Sequence, residues 1–453
     1  MKKDKEQHLL PILGLGTAIL LVAGNMIGSG VFKKISSMST SIADEKLILL
    51  AWIIAGLISM LGAFSFASLA TTTKEAGGQF QYFKNIFGDF FGFIYGWSFF
   101  TVISTASIAS IAYVFAESFV NLFHIHANTI LAINNGDVKF IAIITLLLLT
   151  LFNILGVQGG GWLSNIVTSA KIIGILLLIY LGLSFNSQNT HLAIKTSSSM
   201  TTNELLQISA FFTAMLGAFW AYDGWVNITN MASEFKNPTK NIPRAIIMGT
   251  ALTTLLYVLV NYAYLRVFSP TEFALLYSQN GNIAAVAVAN ATLGTIGVTI
   301  ISALIMISTF GATQASTMSA ARVYYQMSKE GYFFKPFARV HPKYHTPYIS
   351  LLGQMVWASL LILSGTFDQL TDMLIFAAFI FYAMGAVAVI KLKIEKKIES
   401  SFGYPYIPVL FFVSCIVIVT NAIYSRPAES LFGLCLILIG VPLYFYFKKH
   451  KKD

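Results

Sequence analysis

The sequence predicts an all-α integral membrane protein with about 12 transmembrane helices, forming a single domain over residues 1–453. Three observations predict it. Apolar residues make up 56% of the chain and charged residues 11%, and a mean hydropathy of +0.72 lies outside what a soluble globular chain carries. The apolar residues gather into runs of about 20, the length that crosses the hydrocarbon core as a helix. Lys and Arg fall mostly in the short stretches between those runs. The formal charge of +10 is therefore a topology signal, which predicts the lipid bilayer rather than nucleic acid as partner. Cys415 and Cys435 both lie inside apolar runs, so no disulfide framework is implied.

Met1 to Gln7 is short and basic, but the run that follows is too long for a signal peptide and reads as a retained first span, Leu9 to Phe32. Five more spans complete the first set: Leu47 to Ala70, Phe83 to Phe119, Phe140 to Leu155, Leu163 to Leu183 and Leu206 to Met231. The second set runs Ile246 to Val267, Leu293 to Met327, Tyr348 to Leu363, Met373 to Ile390, Pro408 to Ile423 and Leu431 to Phe447. With the N-terminus inside, the inner connections hold most of the basic residues, from Lys236 to Arg244, Lys391 to Lys397 and Lys448 to Lys452 among others. The outer ones hold few, including Lys33, Lys34, Lys139 and Arg426. Both termini are thus expected on the cytoplasmic side of the cell membrane. Glu75 to Phe80 reads as a tight inner loop, and Pro270 to Gly294 as an outer segment that is either a flat lid or an ordinary loop.

Two spans are interrupted. In span 1, Gly28-Ser29-Gly30 follows Ile27, and glycines leave peptide groups uncovered and weaken a helix. A break inside a membrane is tolerated only within protein or along a watery cavity. Its free N–H groups, with the positive end of the helix that resumes at Val31, suit a carboxylate. A small-residue packing surface is the alternative. In span 6, Phe219-Trp220-Ala221-Tyr222-Asp223-Gly224 places a carboxylate and a glycine in an apolar helix, and an acid at that depth marks a site. Asp223 is expected to cap a helix resuming at Gly224, and the carbonyls of Phe219, Trp220 and Ala221 to accept from an ammonium. Donors from one break and acceptors from the other, in corresponding spans of two five-span halves, are what an amino acid zwitterion needs.

Other function classes are less well served. Every histidine lies outside these spans and no metal or nucleophile constellation is visible, so neither an enzyme, a metal nor a cofactor is expected. There is no phosphate loop for a pump and no filter repeat for a channel. A membrane receptor or scaffold remains the alternative from another class.

Both interrupted spans, from Gly24-Asn25-Met26-Ile27-Gly28-Ser29-Gly30-Val31-Phe32 to Phe219-Trp220-Ala221-Tyr222-Asp223-Gly224-Trp225, belong to a wider pattern with Glu234 to Ala245, Arg322-Val323-Tyr324-Tyr325 and Val340 to Pro347. In this order they resemble the amino acid, polyamine and organocation transporters, particularly the L-type amino acid transporter branch. The resemblance implies a LeuT-like fold of two inverted five-helix repeats, about 9–183 and 206–390, with two accessory helices at about 408–447. It implies alternating access by a secondary transporter of neutral L-amino acids, with a cationic amino acid or polyamine permease as the alternative. Gly28, Ser29 and Gly30 match the segment that holds the substrate carboxylate, and Phe219, Trp220 and Ala221 the one that takes its amino group. Trp220 stands where relatives often have a phenylalanine that closes over substrate from outside. Animal members pair with a glycoprotein through a cysteine after span 3, and Asn121 to Asp137 contain none; no disulfide-linked partner is expected.

Lys171 lies about eight residues into span 5, some 12 Å deep at about 1.5 Å per residue. Snorkelling to the inner face is the bland account of it. The residue also matches a lysine that relatives place where sodium-coupled members of the wider fold bind sodium. The resemblance implies that it ties span 5 to span 1 and to Ser308 in span 8, and that transport is sodium-independent, by exchange or linked to protons.

Overall fold

A computed structural model describes residues 13–72, 77–126, 135–155, 161–185, 204–280, 283–398 and 401–450. Among them the only pairing of strand type is an isolated bridge between Leu13 and Phe235; the rest is helix and connection. The chain opens with α1 (Leu15–Met26), α2 (Gly30–Ser39), α3 (Glu45–Leu69), α4 (Gln79–Phe87) and α5 (Asp89–Ser98). A π-turn at Phe99–Ile103 joins α5 to α6 (Ser104–His126), followed by α7 (Asn135–Ile154), α8 (Gly161–Ser184) and α9 (Glu204–Tyr222). A 3₁₀ segment, Asn227–Glu234, leads to α10 (Pro238–Leu265), α11 (Pro270–Asn280) and α12 (Ala284–Lys329). The C-terminal part holds α13 (Tyr348–Ser364), α14 (Phe367–Ile394), α15 (Tyr406–Ser425) and α16 (Pro427–His450).

Ten helical stretches among the described residues are long and apolar enough to cross a membrane, counting α1 with α2 and α5 with α6 as one each. The chain is therefore a multi-pass membrane protein. Local chemistry sets several ends: the Asp44 carboxylate accepts from the Leu47 amide at 2.9 Å to start α3, and a reciprocal Thr366–Gln369 box starts α14. Their positions differ. In the most apolar window of the α5–α6 stretch 83% of residues are buried, and in that of α14 78%, against 28% for α15. The first two stand at the centre and α15 at the lipid-facing rim.

The helices depart from the expected spans where the chain is interrupted. The first break falls at Ile27–Ser29, one residue earlier than expected at its far side, and α2 continues to Ser39. Lys33 and Lys34 therefore lie within a helix and are buried, not in an outer loop. The sixth span stops at Tyr222 instead of continuing to Met231. The inner stretch after α3 is mostly the helix α4, entered through Gly77 and Gly78 at positive φ; Glu75 and Ala76 lie outside the described residues. The outer segment is helical too, with α11 and the first turns of α12, which kinks at Gly294 (φ 61°).

Candidate functional site

The two breaks touch. A Cβ built on Gly30 would lie 2.6 Å from both Cα and Cβ of Ala221, so the start of α2 rests directly on the end of α9. On the other side Gly224, at φ +109°, faces the Asn25 carbonyl, 2.8 Å from where its own Cβ would be. Close approach, rather than left-handed backbone, is what requires glycine at position 30. Gly28 has room: the nearest atom to its would-be Cβ is the Met26 carbonyl at 3.9 Å.

At the first break the Ile27 amide still bonds to Ala23 at 2.8 Å, and the Gly28 amide turns back to Met26, also at 2.8 Å. Ser29 then begins α2 in helical backbone. The opening amides of a helix have no acceptor within it, so those of Gly30 and Val31 form the positive end of a short dipole. The Ser29 hydroxyl beside them is buried without a partner.

The second break is differently furnished. Helix does not resume at Gly224; the chain turns and re-forms as 3₁₀ from Asn227, with Val226 in the capping position. Asp223 is not its cap. Its carboxylate instead accepts from the Tyr382 hydroxyl of α14. Phe219 packs on Phe379 with centroids 4.7 Å apart, and Trp220 is buried with its ring edge-on to Phe367, 6.2 Å away. The space beside Asp223, bounded by Phe219, Trp225, Phe379 and Tyr382, is only about 10 Å³, roughly one water.

Tyr257 of α10 joins the two breaks, and sequence reasoning missed it. Its hydroxyl lies 2.8 Å from the Met26 carbonyl and 3.1 Å from the Ala221 carbonyl. A tyrosine in an apolar run gives no signal of this, because both acceptors are backbone atoms of distant segments. Trp52 of α3 packs edge-on against Tyr257 and Tyr222, each at 5.8 Å.

Lys171 is buried and donates to the Gly24 carbonyl at 2.9 Å, tying α8 to α1 two residues before its end. No bond to Ser308 accompanies it; the Ser308 hydroxyl is buried and unpartnered. The two nonetheless occupy one level of the α8–α12 contact, since Gly174 packs on Leu304 and Gly311 on Val167. Next to the start of α1, the Lys236 amide donates to Leu13 at 2.9 Å beside the Leu13–Phe235 bridge, while the Arg244 side chain is exposed.

Beyond Trp220, around the Phe367 ring, lies a layer of charge. Lys33 meets both oxygens of Glu117 on α6, at 2.5 and 2.7 Å. Lys34 meets Asp368 at 2.5 Å and Thr371 at 2.7 Å, both on α14. The two ammonium groups stand 4.8 and 4.7 Å from the Phe367 ring centre, and Tyr277 of α11 donates to Asp368 at 2.7 Å. Burial, reinforced by the Asp368 carboxylate beside it, pushes the Tyr277 phenol above its usual range.

A family model described as amino acid permease matches residues 13–441. The chain belongs to the amino acid permease family. The serine/threonine exchanger SteT of Bacillus subtilis (strain 168) is 31% identical over 97% of each chain. The b(0,+)-type amino acid transporter 1 of Homo sapiens is 29% identical over 99% of this chain and 90% of its own. The large neutral amino acids transporter small subunit 2 of Homo sapiens is 29% identical over 96% of this chain and 79% of its own. The permease is thus one of a family of transporters, not of enzymes.

Proposed function

We propose that this permease is a sodium-independent secondary transporter of neutral L-amino acids, working by exchange through alternating access. The observation that carries the reading is the abutment of the two breaks, Gly30 on Ala221 and Gly224 on Asn25. It puts the amide end of α2 and the carbonyl end of α9 at one place in the membrane. Amides of Ser29 and Gly30 take the carboxylate, beside Ile27 and Gly28; carbonyls of Phe219, Trp220 and Ala221 take the ammonium, and Asp223 sets the turn. Trp220 closes over the substrate from outside. Similarity to a serine/threonine exchanger and to a large neutral amino acids transporter supports exchange and neutral substrates.

In this reading α9 and α13 join the ten long apolar stretches to make twelve spans, with both termini inside the cell membrane. The interrupted helices begin two repeats of one domain, about 9–183 and 206–390, with α15 and α16 accessory. Lys171, held on Gly24, occupies the place between α1, α8 and α12, where Ser308 completes the wall; in its protonated form it repels sodium there.

Uptake of labelled L-serine and L-leucine into liposomes containing only this protein tests the proposal. Counterflow is expected without sodium, and Lys171→Ala is expected to lower it at least about tenfold, because the Gly24 carbonyl loses a charged donor. Uptake that needs a sodium gradient, or an unchanged Lys171→Ala rate, rejects it.

A further inference from the structure

One cavity among the described residues lies away from the helix breaks. It lies one helical turn outside them, has a volume of about 310 Å³, and is walled by α2, α9, α11, α14 and the α15–α16 turn. Gly217 in its wall precedes Trp220 by three residues, and Lys34 follows Gly30 by four. The volume is at the lower end of small-molecule sites, roughly 300–1,000 Å³, whereas the space beside Asp223 is about 10 Å³. With the inner chamber closed, the outer one can still hold an amino acid.

Its lining is charged in both senses. Three carboxylates, Asp368, Asp372 and Glu429, face two cations, Lys34 and Arg426, leaving one negative charge in excess. Lys34 and Asp368 are engaged with each other, with Thr371 and with Tyr277. The remaining three are less committed. Arg426 approaches Asp372 through Nε, at 3.2 Å, and its terminal nitrogens form the fork that receives a planar carboxylate. Asp372 is 8% exposed and lines the cavity together with Glu429, which sits in the first turn of α16. A carboxylate that deep is costly unless a cation shares it, and one cation is divided here among several acids.

We infer that this cavity is a second recognition site for amino acids, in which Arg426 takes the carboxylate and Asp372 with Glu429 takes an ammonium, with cationic ligands favoured by the excess negative charge. The inference rests on the transport reading for its place on the path, but not for the binding itself. Substrate entering from outside is gathered here and held above the Phe367–Trp220 seal until the breaks open. It acts as a filter before the inner site rather than as part of it.

Accessible-thiol labelling separates the two sites. Ser37 lines the cavity, so Ser37→Cys in a Cys435→Ser background is labelled from outside with a charged methanethiosulfonate, with Gln369→Cys as second reporter should the first fail to fold. L-lysine and L-leucine are expected to slow labelling, L-lysine at about threefold lower concentration, by the factor set by occupancy. The protection is expected to persist with Gly28→Ala, which alters only the inner site, and to vanish with Arg426→Gln plus Glu429→Gln. Labelling indifferent to both amino acids, or protection abolished by Gly28→Ala, overturns the outer site. Protection in a protein that carries no amino acid in liposomes sinks the transport reading and leaves the outer site standing.

Discussion

The two breaks are furnished differently. The first is less committed: short, without positive φ at Gly28 or Gly30, with opening amides of α2 that have no acceptor within the helix and a Ser29 hydroxyl without a partner. The second is already occupied: Gly224 at positive φ makes the turn, Tyr382 holds Asp223, and Tyr257 holds the Ala221 carbonyl. In the proposed reading a carboxylate would meet amides not already committed to a side chain at the first break, whereas an ammonium must share or replace the Tyr257 hydroxyl at the second. Since that hydroxyl has one hydrogen and two carbonyls in reach, it can turn to Met26 when the ammonium takes Ala221. The comparison teaches that donor and acceptor ends of broken helices are not equivalent sites: one waits and the other exchanges partners.

The largest effect expected is at Gly30. Gly30→Val pushes a branched side chain into the Ala221 backbone, and overpacking of this kind costs about 1–3 kcal/mol or more. Transport is expected to vanish and thermal stability in detergent to fall. Gly28→Ala, which has space for its methyl, should keep the wild-type melting temperature while weakening binding about fivefold by covering the amides. Equal stability losses in the two variants would break the distinction between a contact glycine and a site glycine.

Trp220→Ala tests the lid over the second break. A core tryptophan replaced by alanine costs about 3–5 kcal/mol. A lid over a cavity should cost less, with most of the loss appearing as weaker substrate binding in calorimetry. A smaller effect is expected from Tyr257→Phe, which removes the single hydroxyl hydrogen within reach of the Met26 and Ala221 carbonyls, of which Met26 keeps the Gly28 amide. A stability loss of about 1–2 kcal/mol and about tenfold slower exchange are expected. Unchanged exchange by Tyr257→Phe would mean that the carbonyl end needs no placeholder.

Much of this was legible in the sequence. Apolar run length located nearly every helix, and the glycines and the single deep acid located both breaks, because each signal is carried by adjacent residues. What was not legible depends on distant partners. Lys33 and Lys34 read as an outer loop because nothing near them in sequence announces Glu117, Asp368 or the Phe367 ring. Asp223 looked like a helix cap for the same reason, since Tyr382 lies on another helix. Tyr257 gave no signal, and a lysine at Lys171 could be placed at depth by spacing but not assigned to the Gly24 carbonyl.

The central claim is that both charged ends of an amino acid are held by backbone, one at each break. Inhibition of L-leucine counterflow in sodium-free proteoliposomes by L-leucine, its methyl ester, 4-methylpentanoate and 3-methylbutylamine tests it most directly. Only unlabelled L-leucine, which keeps both ends, is expected to compete well, with the other three weaker by about tenfold or more, the loss of one charged hydrogen-bonded group. Competition by the ester or the amine equal to that of L-leucine would contradict the account.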